Sequence, residues 1–220
     1  MMKAVFFDLD NTLYDSEKYY TRAFKSISYY IYKNFKINQQ TTYEILNKNW
    51  KRNTSMYNRI FDDLVEDLDL KININDIVKI FNEQKVEEND LFLDTIPVLK
   101  KLSNEYKIGI ITDGNVLRQK RKIQKCGVES LVDLIVYTKT LQPKPSPVSF
   151  QYALNQLSSN NIQPFYVADN PKIDFIGAKK MNFTTIRIVR GEFKDVDSDK
   201  NVDYSIKTLK DVREIVETKL

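Results

Sequence analysis

The chain has 220 residues, of which 42% are hydrophobic and 29% charged, and its formal net charge is +4. This length is enough for one well-filled core or for a core domain with a smaller insertion, and the composition argues against disorder. Lysines and arginines are scattered among acidic residues, which argues against a nucleic-acid partner. Neither a signal peptide nor an apolar run long enough to cross a membrane is visible, so we expect no membrane association.

The chain contains no histidine and a single cysteine, Cys126. Catalysis by Ser-His-Asp or Cys-His groups and histidine-ligated zinc are therefore excluded within this chain. One thiol cannot form an intramolecular disulfide, which fits a reducing, cytoplasmic setting. A metal site would have to use oxygen ligands, and these favour Mg²⁺, Ca²⁺ or Mn²⁺.

Five short apolar runs predict buried strands, because near-continuous β-branched and aromatic residues are typical of strands covered on both faces. The runs are Lys3–Asp8, Tyr106–Thr112, Leu134–Thr138, Phe165–Asp169 and Thr184–Val189. Helical patterns alternate with them at Ile96–Asn104, Val116–Lys125, Val148–Leu157, Phe175–Met181 and Leu209–Thr218. This alternation predicts an α/β fold with a doubly wound, Rossmann-like parallel sheet.

One long segment interrupts the alternation. Four stretches with helical spacing follow one another in it, at Tyr19–Tyr32, Tyr43–Trp50, Tyr57–Leu68 and Asp76–Lys85. The segment is too long to be a crossover loop. We therefore predict that residues 16–88 form an inserted all-helical domain, and that residues 1–15 and 89–220 form the α/β core with the catalytic site.

Polar side chains follow four of the five predicted strands. In chain order they are Asp8 with Asp10, Thr112-Asp113-Gly114, Lys144, and Asp169 with Asp174. Each alone has an ordinary structural explanation, such as a turn or a helix N-cap. Because ligands of open α/β sheets bind at the carboxyl ends of the strands, their joint appearance there predicts one site. The fifth strand ends at Arg187 and Arg190, to which the sequence assigns no role.

The acidic residues at these strand ends predict a bound cation. Asp8, Asp10, Asp169 and Asp174 could not all stay ionised at close range without one. A hard divalent ion such as Mg²⁺ prefers such oxygen ligands, and it would also neutralise a phosphate.

The residues at the same strand ends predict phosphoryl transfer. An aspartate can act as nucleophile through an aspartyl-phosphate, and a second carboxylate then serves as acid and base. Asp8 is the candidate nucleophile, and Asp10, two residues on, is the candidate acid/base. The groups expected to hold the phosphoryl oxygens are the Thr112 hydroxyl, the Lys144 ammonium and the backbone N–H groups around Leu9, Asp113 and Gly114.

At these residues the sequence resembles the haloacid dehalogenase (HAD) superfamily, over essentially the whole chain. The motifs that carry the resemblance are Asp8-Leu9-Asp10-Asn11-Thr12, Thr112-Asp113-Gly114 with Gln119, Lys144-Pro145-x-Pro147, and Asp169-Asn170-Pro171-x-x-Asp174. Two positions depart from the family pattern. Ala168 stands where glycine is usual, and Asp113 replaces the commoner asparagine.

The resemblance implies that Asp8 attacks phosphorus and also binds Mg²⁺. It implies that Asp169 and the backbone carbonyl of Asp10 are further metal ligands, and that Asp174 binds the metal directly or through water. It also implies that the helical insertion is a C1-type cap that closes over the site and excludes water. The dehalogenase branch lacks the second aspartate of the first motif, so Asp10 favours phosphoryl chemistry.

The leading interpretation is a Mg²⁺-dependent phosphatase that acts on a small phosphorylated metabolite, as a monomer or homodimer. One alternative is a phosphomutase or phosphotransferase of the same superfamily. The other is a non-catalytic phosphate-binding regulatory module, which the intact set of catalytic groups argues against. Substrate choice is expected to lie in the insertion, where no residue is assigned to the site.

Overall fold

The computed structural model describes residues 2–157, 159 and 161–219, which form two compact units. One unit contains the residues up to Ser16 and those from Glu87 onward, and the other is Glu17–Val86. The second unit is thus an insertion in the first. It falls where the sequence predicts the helical segment.

The first unit is built on a six-stranded parallel sheet. Its strands are β1 (Met2–Phe7), β2 (Lys107–Thr112), β3 (Leu134–Tyr137), β4 (Ile162–Ala168), β5 (Thr184–Ile188) and β6 (Tyr204–Ile206). The strand order is β3-β2-β1-β4-β5-β6, so the chain winds outward on one side of β1 and then returns to the other side. Ligands bind where the strand order reverses in this way, which places the expected crevice at the carboxyl ends of β1 and β4.

Four described helices form the inserted part: α1 (Ser16–Phe35), α2 (Gln39–Asn53), α3 (Ile60–Asp67) and α4 (Ile74–Asn82). Aromatic side chains join them, since Tyr20 stacks on Trp50 with ring centroids 4.8 Å apart. Tyr19 is buried and donates a hydrogen bond to the carbonyl of Phe81 at 2.6 Å. No helix in the described part of the chain is both long and apolar enough to cross a membrane.

The remaining helices accompany the sheet, and they are α5 (Thr95–Leu102), α6 (Val116–Lys125), α7 (Val148–Asn155), α8 (Asp174–Lys180) and α9 (Val212–Thr218). An aromatic core lies between the sheet and α7, where Phe150 meets Tyr166 edge-on at 4.9 Å. Consecutive residues of β1 are buried, including Val5 and Phe6, whose side chains point to opposite faces. Both faces of the sheet are therefore covered, as the continuous apolar runs predict.

The predicted fold class is confirmed, and all five predicted strands are present with ends that differ by a few residues. The sixth strand, Tyr204–Ile206, was not predicted. It has only three residues, and Tyr204 and Ser205 are exposed, so it lacks the apolar run that reveals the inner strands. The helix predicted at Leu209–Thr218 begins with a short 3₁₀ turn, Leu209–Asp211, and continues as α9.

Gly109 of β2 provides a test of the packing between neighbouring strands. It lies beside Phe6 of β1, and a Cβ atom added to it would lie 2.4 Å from Cδ1 of the Phe6 ring. We expect Gly109→Ala to destabilise the protein by about 1–3 kcal/mol, because overpacking of a filled core forces side chains out of place.

Urea unfolding followed by circular dichroism measures this effect. The double variant Gly109→Ala with Phe6→Leu should lose less stability than the sum of its two single variants, since the smaller side chain makes room for the methyl group. Additive losses would show that the glycine is not required by the Phe6 ring.

Candidate active site

Three buried carboxylates meet at the carboxyl edge of the sheet. Asp8 directly follows β1, Asp169 directly follows β4, and Asp174 is the first residue of α8. One carboxylate oxygen from each of the three lies within 4.8 Å of the other two. The winding of the chain thus brings Asp8 to two acids that are more than 160 positions away in the sequence.

Burial of this cluster makes its negative charge costly. Burial, opposed by Lys144 and reinforced by Asp174, raises the pKa of Asp8 to about 7. Burial, followed by the charges of Asp174 and Asp8, raises the pKa of Asp169 well above its usual range. Like charges held out of water favour the neutral form of each acid, so a nearby cation is needed to keep the carboxylates ionised.

Lys144 supplies one such cation. Its ammonium is buried and donates hydrogen bonds to Asp8 at 2.8 Å, to Asp174 at 2.6 Å and to the Tyr166 hydroxyl at 3.1 Å. Burial alone would lower the pKa of Lys144, but Asp174 and Asp8 outweigh it and hold that pKa well above the usual lysine range. Lys144 therefore joins the candidate nucleophile to the acid that opens α8.

The loop that carries Lys144 is held by two features. The carboxylate of Asp113 accepts hydrogen bonds from the Thr138 hydroxyl and, at 3.4 Å, from the backbone N–H of Lys144. On the other side, Gly177 of α8 lies so close that a Cβ atom there would be 2.7 Å from the carbonyls of Pro145 and Ser146. Asp113, which stands where asparagine is usual, thus anchors the loop that carries Lys144.

Asp10 has a different environment from Asp8, although only one residue separates them. Its carboxylate accepts hydrogen bonds from the Ser16 hydroxyl at 2.6 Å, from the Gln119 amide at 2.8 Å and from the Lys122 ammonium. Burial would raise the pKa of Asp10, but these donors, Lys122 foremost, hold it at about 2. The carboxylate is therefore charged at neutral pH in this arrangement.

Thr112 belongs to the same network as Asp10. Its hydroxyl accepts a hydrogen bond from the Gln119 amide at 2.8 Å, and that amide also donates to Asp10. Leu9 is buried, and Gly114 has a φ of 107°, a conformation that favours glycine. Thr112 is the last residue of β2, and Leu9 and Gly114 lie in the loops that follow β1 and β2. Their roles remain predictions.

Sequence reasoning did not find three residues of this site. Tyr166 lies inside β4, where the sequence predicts only an apolar strand, and its hydroxyl contacts Lys144. Ser16 and Lys122 both contact Asp10, but neither stands at the end of a predicted strand. The one available signal was Lys122, a charged residue on the helix face that also carries Gln119 and Ile123.

The two arginines at the end of β5 bind backbone near the site. Arg187 is buried and donates to the carbonyl of Asp169 at 3.3 Å and to that of Phe193 at 2.8 Å. Arg190 donates to the carbonyl of Thr12 and, at 2.9 Å, to the carboxylate of Asp94. These arginines thus support the loops after β4 and β1, which is a structural role that the sequence did not assign.

The arrangement matches a known family. Residues 5–188 match the model of the haloacid dehalogenase-like hydrolases. The chain belongs to this family. Curated relatives agree, since a glyceraldehyde 3-phosphate phosphatase of Methanocaldococcus jannaschii is 31% identical over 98% of this chain and 97% of its own. A protein of the same description from Pyrococcus furiosus is 28% identical over 98% of this chain and 93% of its own. The chain is thus a phosphatase of the HAD-like hydrolases.

Solved structures show the same fold. YfnB, a HAD hydrolase of Bacillus subtilis, superposes with a TM-score of 0.73 at 15% identity, with 98% of each chain covered. A HAD phosphatase of Thermococcus onnurineus gives a TM-score of 0.68 at 24% identity, again with 98% of each chain covered. The strand order and the helical insertion therefore belong to the family fold.

The raised pKa of Asp8 predicts how stability changes with pH when no metal ion is bound. Between its unfolded value of 3.8 and its folded value of about 7, Asp8 holds a proton in the folded state only, so stability falls as pH rises through this window. Asp8→Asn removes the ionisable group. We expect this variant to be more stable than the wild type at pH 8, by on the order of a few kcal/mol, with a smaller difference at pH 5.

Thermal unfolding in EDTA at both pH values measures this difference. The control is Asp195→Asn, which removes an exposed carboxylate, and the gain for Asp8→Asn at pH 8 should exceed any change in this control. A difference for Asp8→Asn that is equal at pH 5 and pH 8 would contradict the prediction.

Proposed function

We propose that this phosphatase hydrolyses a small phosphomonoester through a phosphorylated Asp8 with bound Mg²⁺, and that its substrate is a triose phosphate of the glyceraldehyde 3-phosphate type. The observation that carries the proposal is the bridge that the Lys144 ammonium forms between Asp8 and Asp174, beside Asp169. The substrate class is supported by the two relatives, which align over nearly their whole length and carry that description.

The acidic cluster fits a divalent cation. Asp169 Oδ2 is buried and has no hydrogen-bond partner among the described residues, which leaves a strong oxygen ligand for an ion. The YfnB structure with this fold is bound to magnesium. Asp8 and Asp169 would hold Mg²⁺ with the backbone carbonyl of Asp10, and Asp174 would hold it directly or through water. When bound, the ion neutralises charge on the phosphoryl group and on the carboxylates.

In the first half of the reaction, a carboxylate oxygen of Asp8 attacks the phosphorus atom of the substrate. A bond forms between Asp8 and phosphorus, and the bond from phosphorus to the ester oxygen breaks. Asp10 gives its proton to that departing oxygen, so the product leaves as a neutral alcohol. Thr112, Lys144 and the backbone N–H groups around Leu9, Asp113 and Gly114 hold the phosphoryl oxygens.

In the second half, Asp10 is a carboxylate and takes a proton from a water molecule. The water oxygen attacks phosphorus, and the bond between phosphorus and Asp8 breaks. Inorganic phosphate leaves, Asp8 is again a carboxylate, and Asp10 again carries the proton. The donors that surround Asp10 favour its charged form, which is the form that this half requires.

We also propose that the helical segment 16–88 is the cap domain of this enzyme and that substrate choice depends on it. This assignment is supported by the place of the segment between β1 and β2 and by its all-helical content. The core, at residues 1–15 and 89–220, carries every group that the proposed reaction uses.

A substrate panel tests the proposed function. With Mg²⁺, we expect release of inorganic phosphate from glyceraldehyde 3-phosphate and from glycerol 3-phosphate. The kcat/KM for these esters should exceed that for a nucleoside monophosphate by about 10-fold or more, because the larger leaving group should fit less well. EDTA should abolish the activity. Transfer of phosphate to an acceptor instead of water, or no release from any ester, would contradict the proposal.

Asp8→Asn tests the nucleophile. Because an amide cannot form the phosphoryl ester, we expect kcat to fall by at least about 10³-fold. Circular dichroism should show an unchanged fold, and Asp195→Asn should keep wild-type activity, since Asp195 is exposed. Substantial activity in folded Asp8→Asn would rule out Asp8 as the nucleophile.

A further inference from the structure

Lys122 lies on the core-facing side of α6 and has a buried ammonium. The residue is 2% exposed, and its neighbours on this helix face are Gln119, Ile123 and Cys126, all buried. This is the spacing at which an amphipathic helix normally places apolar side chains. A lysine here is therefore an exception to the pattern of its own helix.

Two groups fix the Lys122 ammonium from different directions. It contacts the Asp10 carboxylate, and it lies 4.6 Å from the centroid of the Tyr14 ring, at cation–π distance. The Tyr14 hydroxyl in turn donates to Asp90 at 2.7 Å, which fixes the ring. The ammonium thus has one defined place, and that place is at Asp10.

Stability alone is a weak reason for this ion pair. Lys122 is buried and Asp10 is half-buried. Removing charges from water is so costly that apolar replacements of buried ion pairs are often neutral or stabilising. A leucine or methionine at position 122 would match the apolar face of α6. The lysine is better explained by what it does to Asp10 than by what it adds to the core.

The donors around Asp10 come from two elements. Gln119 and Lys122, one helical turn apart on α6, reach Oδ2 and Oδ1 of the carboxylate, and Ser16 also donates to Oδ1. With both oxygens bound, the plane of the carboxylate is fixed. Gln119 also holds the Thr112 hydroxyl, so α6 sets the place of Asp10 relative to the phosphate-binding residues.

We propose that Lys122 is a positioning residue of the reaction, which orients the Asp10 carboxylate toward the ester oxygen of the substrate. The inference rests on the proposed function, in which Asp10 protonates that oxygen. Lys122 acts through the Asp10 carboxylate and is assigned no contact with the substrate. Its loss should therefore slow those steps that need Asp10 and leave the others nearly unchanged.

Two phosphate esters distinguish proton donation by Asp10 from the rest of the reaction. For each ester, kcat/KM reports the steps up to the transfer of phosphate to Asp8. The alcohol of glycerol 3-phosphate is a poor leaving group that needs a proton, whereas p-nitrophenolate leaves without one. We expect Lys122→Met to lower kcat/KM for glycerol 3-phosphate by roughly 10²-fold, the low end of what a positioned proton donor contributes. For p-nitrophenyl phosphate, the loss should stay below about fivefold.

Three variants complete the experiment. Lys122→Arg keeps a cation and should recover part of the loss on glycerol 3-phosphate. Lys125→Met removes the same charge from an exposed position of the same helix and should match the wild type on both esters. In the Asp10→Asn background, Lys122→Met should cost less than about threefold on glycerol 3-phosphate, because the group through which it acts is already absent.

The outcomes separate this inference from the proposed function. If the wild type with Mg²⁺ releases no phosphate from either ester, the proposed function fails. If the wild type is active and Lys122→Met loses equal factors on both esters, or loses none, Lys122 does not position Asp10. An equal further loss in the Asp10→Asn background overturns the inference as well.

Thermal unfolding shows whether each variant is folded. Should Lys122→Met not fold, Lys122→Arg carries the test. Its longer side chain places the donor differently, so its loss should again be larger on glycerol 3-phosphate than on p-nitrophenyl phosphate. Equal losses on the two esters would overturn the inference in that case too.

Discussion

The structure depends on the cost of holding three carboxylates together away from water. Asp8, Asp169 and Asp174 are buried within a few ångströms of one another, and such charges destabilise a fold unless a cation compensates them. Lys144 neutralises part of this charge through Asp8 and Asp174. Much of the surrounding architecture can be understood as the support that keeps this lysine in place.

That support extends over distant parts of the chain. Asp113, after β2, holds the backbone of Lys144, and Gly177 of α8 lets the same loop approach closely. The Tyr166 hydroxyl, on β4, accepts a hydrogen bond from the ammonium, and the ring of this tyrosine packs in the aromatic core. Core packing and site geometry are therefore linked, because a shift of the Tyr166 ring would move a partner of Lys144.

The sequence allowed the inner strands and the residues at their carboxyl ends to be predicted, because both follow from local patterns. An apolar run that ends in Asp8 or in Asp169 is visible within a few residues. A parallel sheet then brings the carboxyl ends of its strands to one edge. The partners of Asp10 could not be predicted in this way. Ser16 and Lys122 approach it through tertiary packing. Lys122 interrupts the apolar face of α6, but that local pattern does not show which group it contacts. β6 was not predicted because this short strand lies at the edge of the sheet, is partly exposed and has no apolar run.

Asp8 and Asp10 show how one short segment can hold two carboxylates with opposite tendencies. Without a metal ion, the pKa of Asp8 is raised to about 7 and that of Asp10 is lowered to about 2. The proposed reaction begins from the reverse condition, with Asp8 charged and Asp10 protonated. A cation beside Asp8 favours its charged form, whereas a phosphate dianion near Asp10 favours the proton on that group. The protein alone thus shifts both pKa values away from the states that the first step needs, and in the proposed reaction the metal ion and the substrate shift them back.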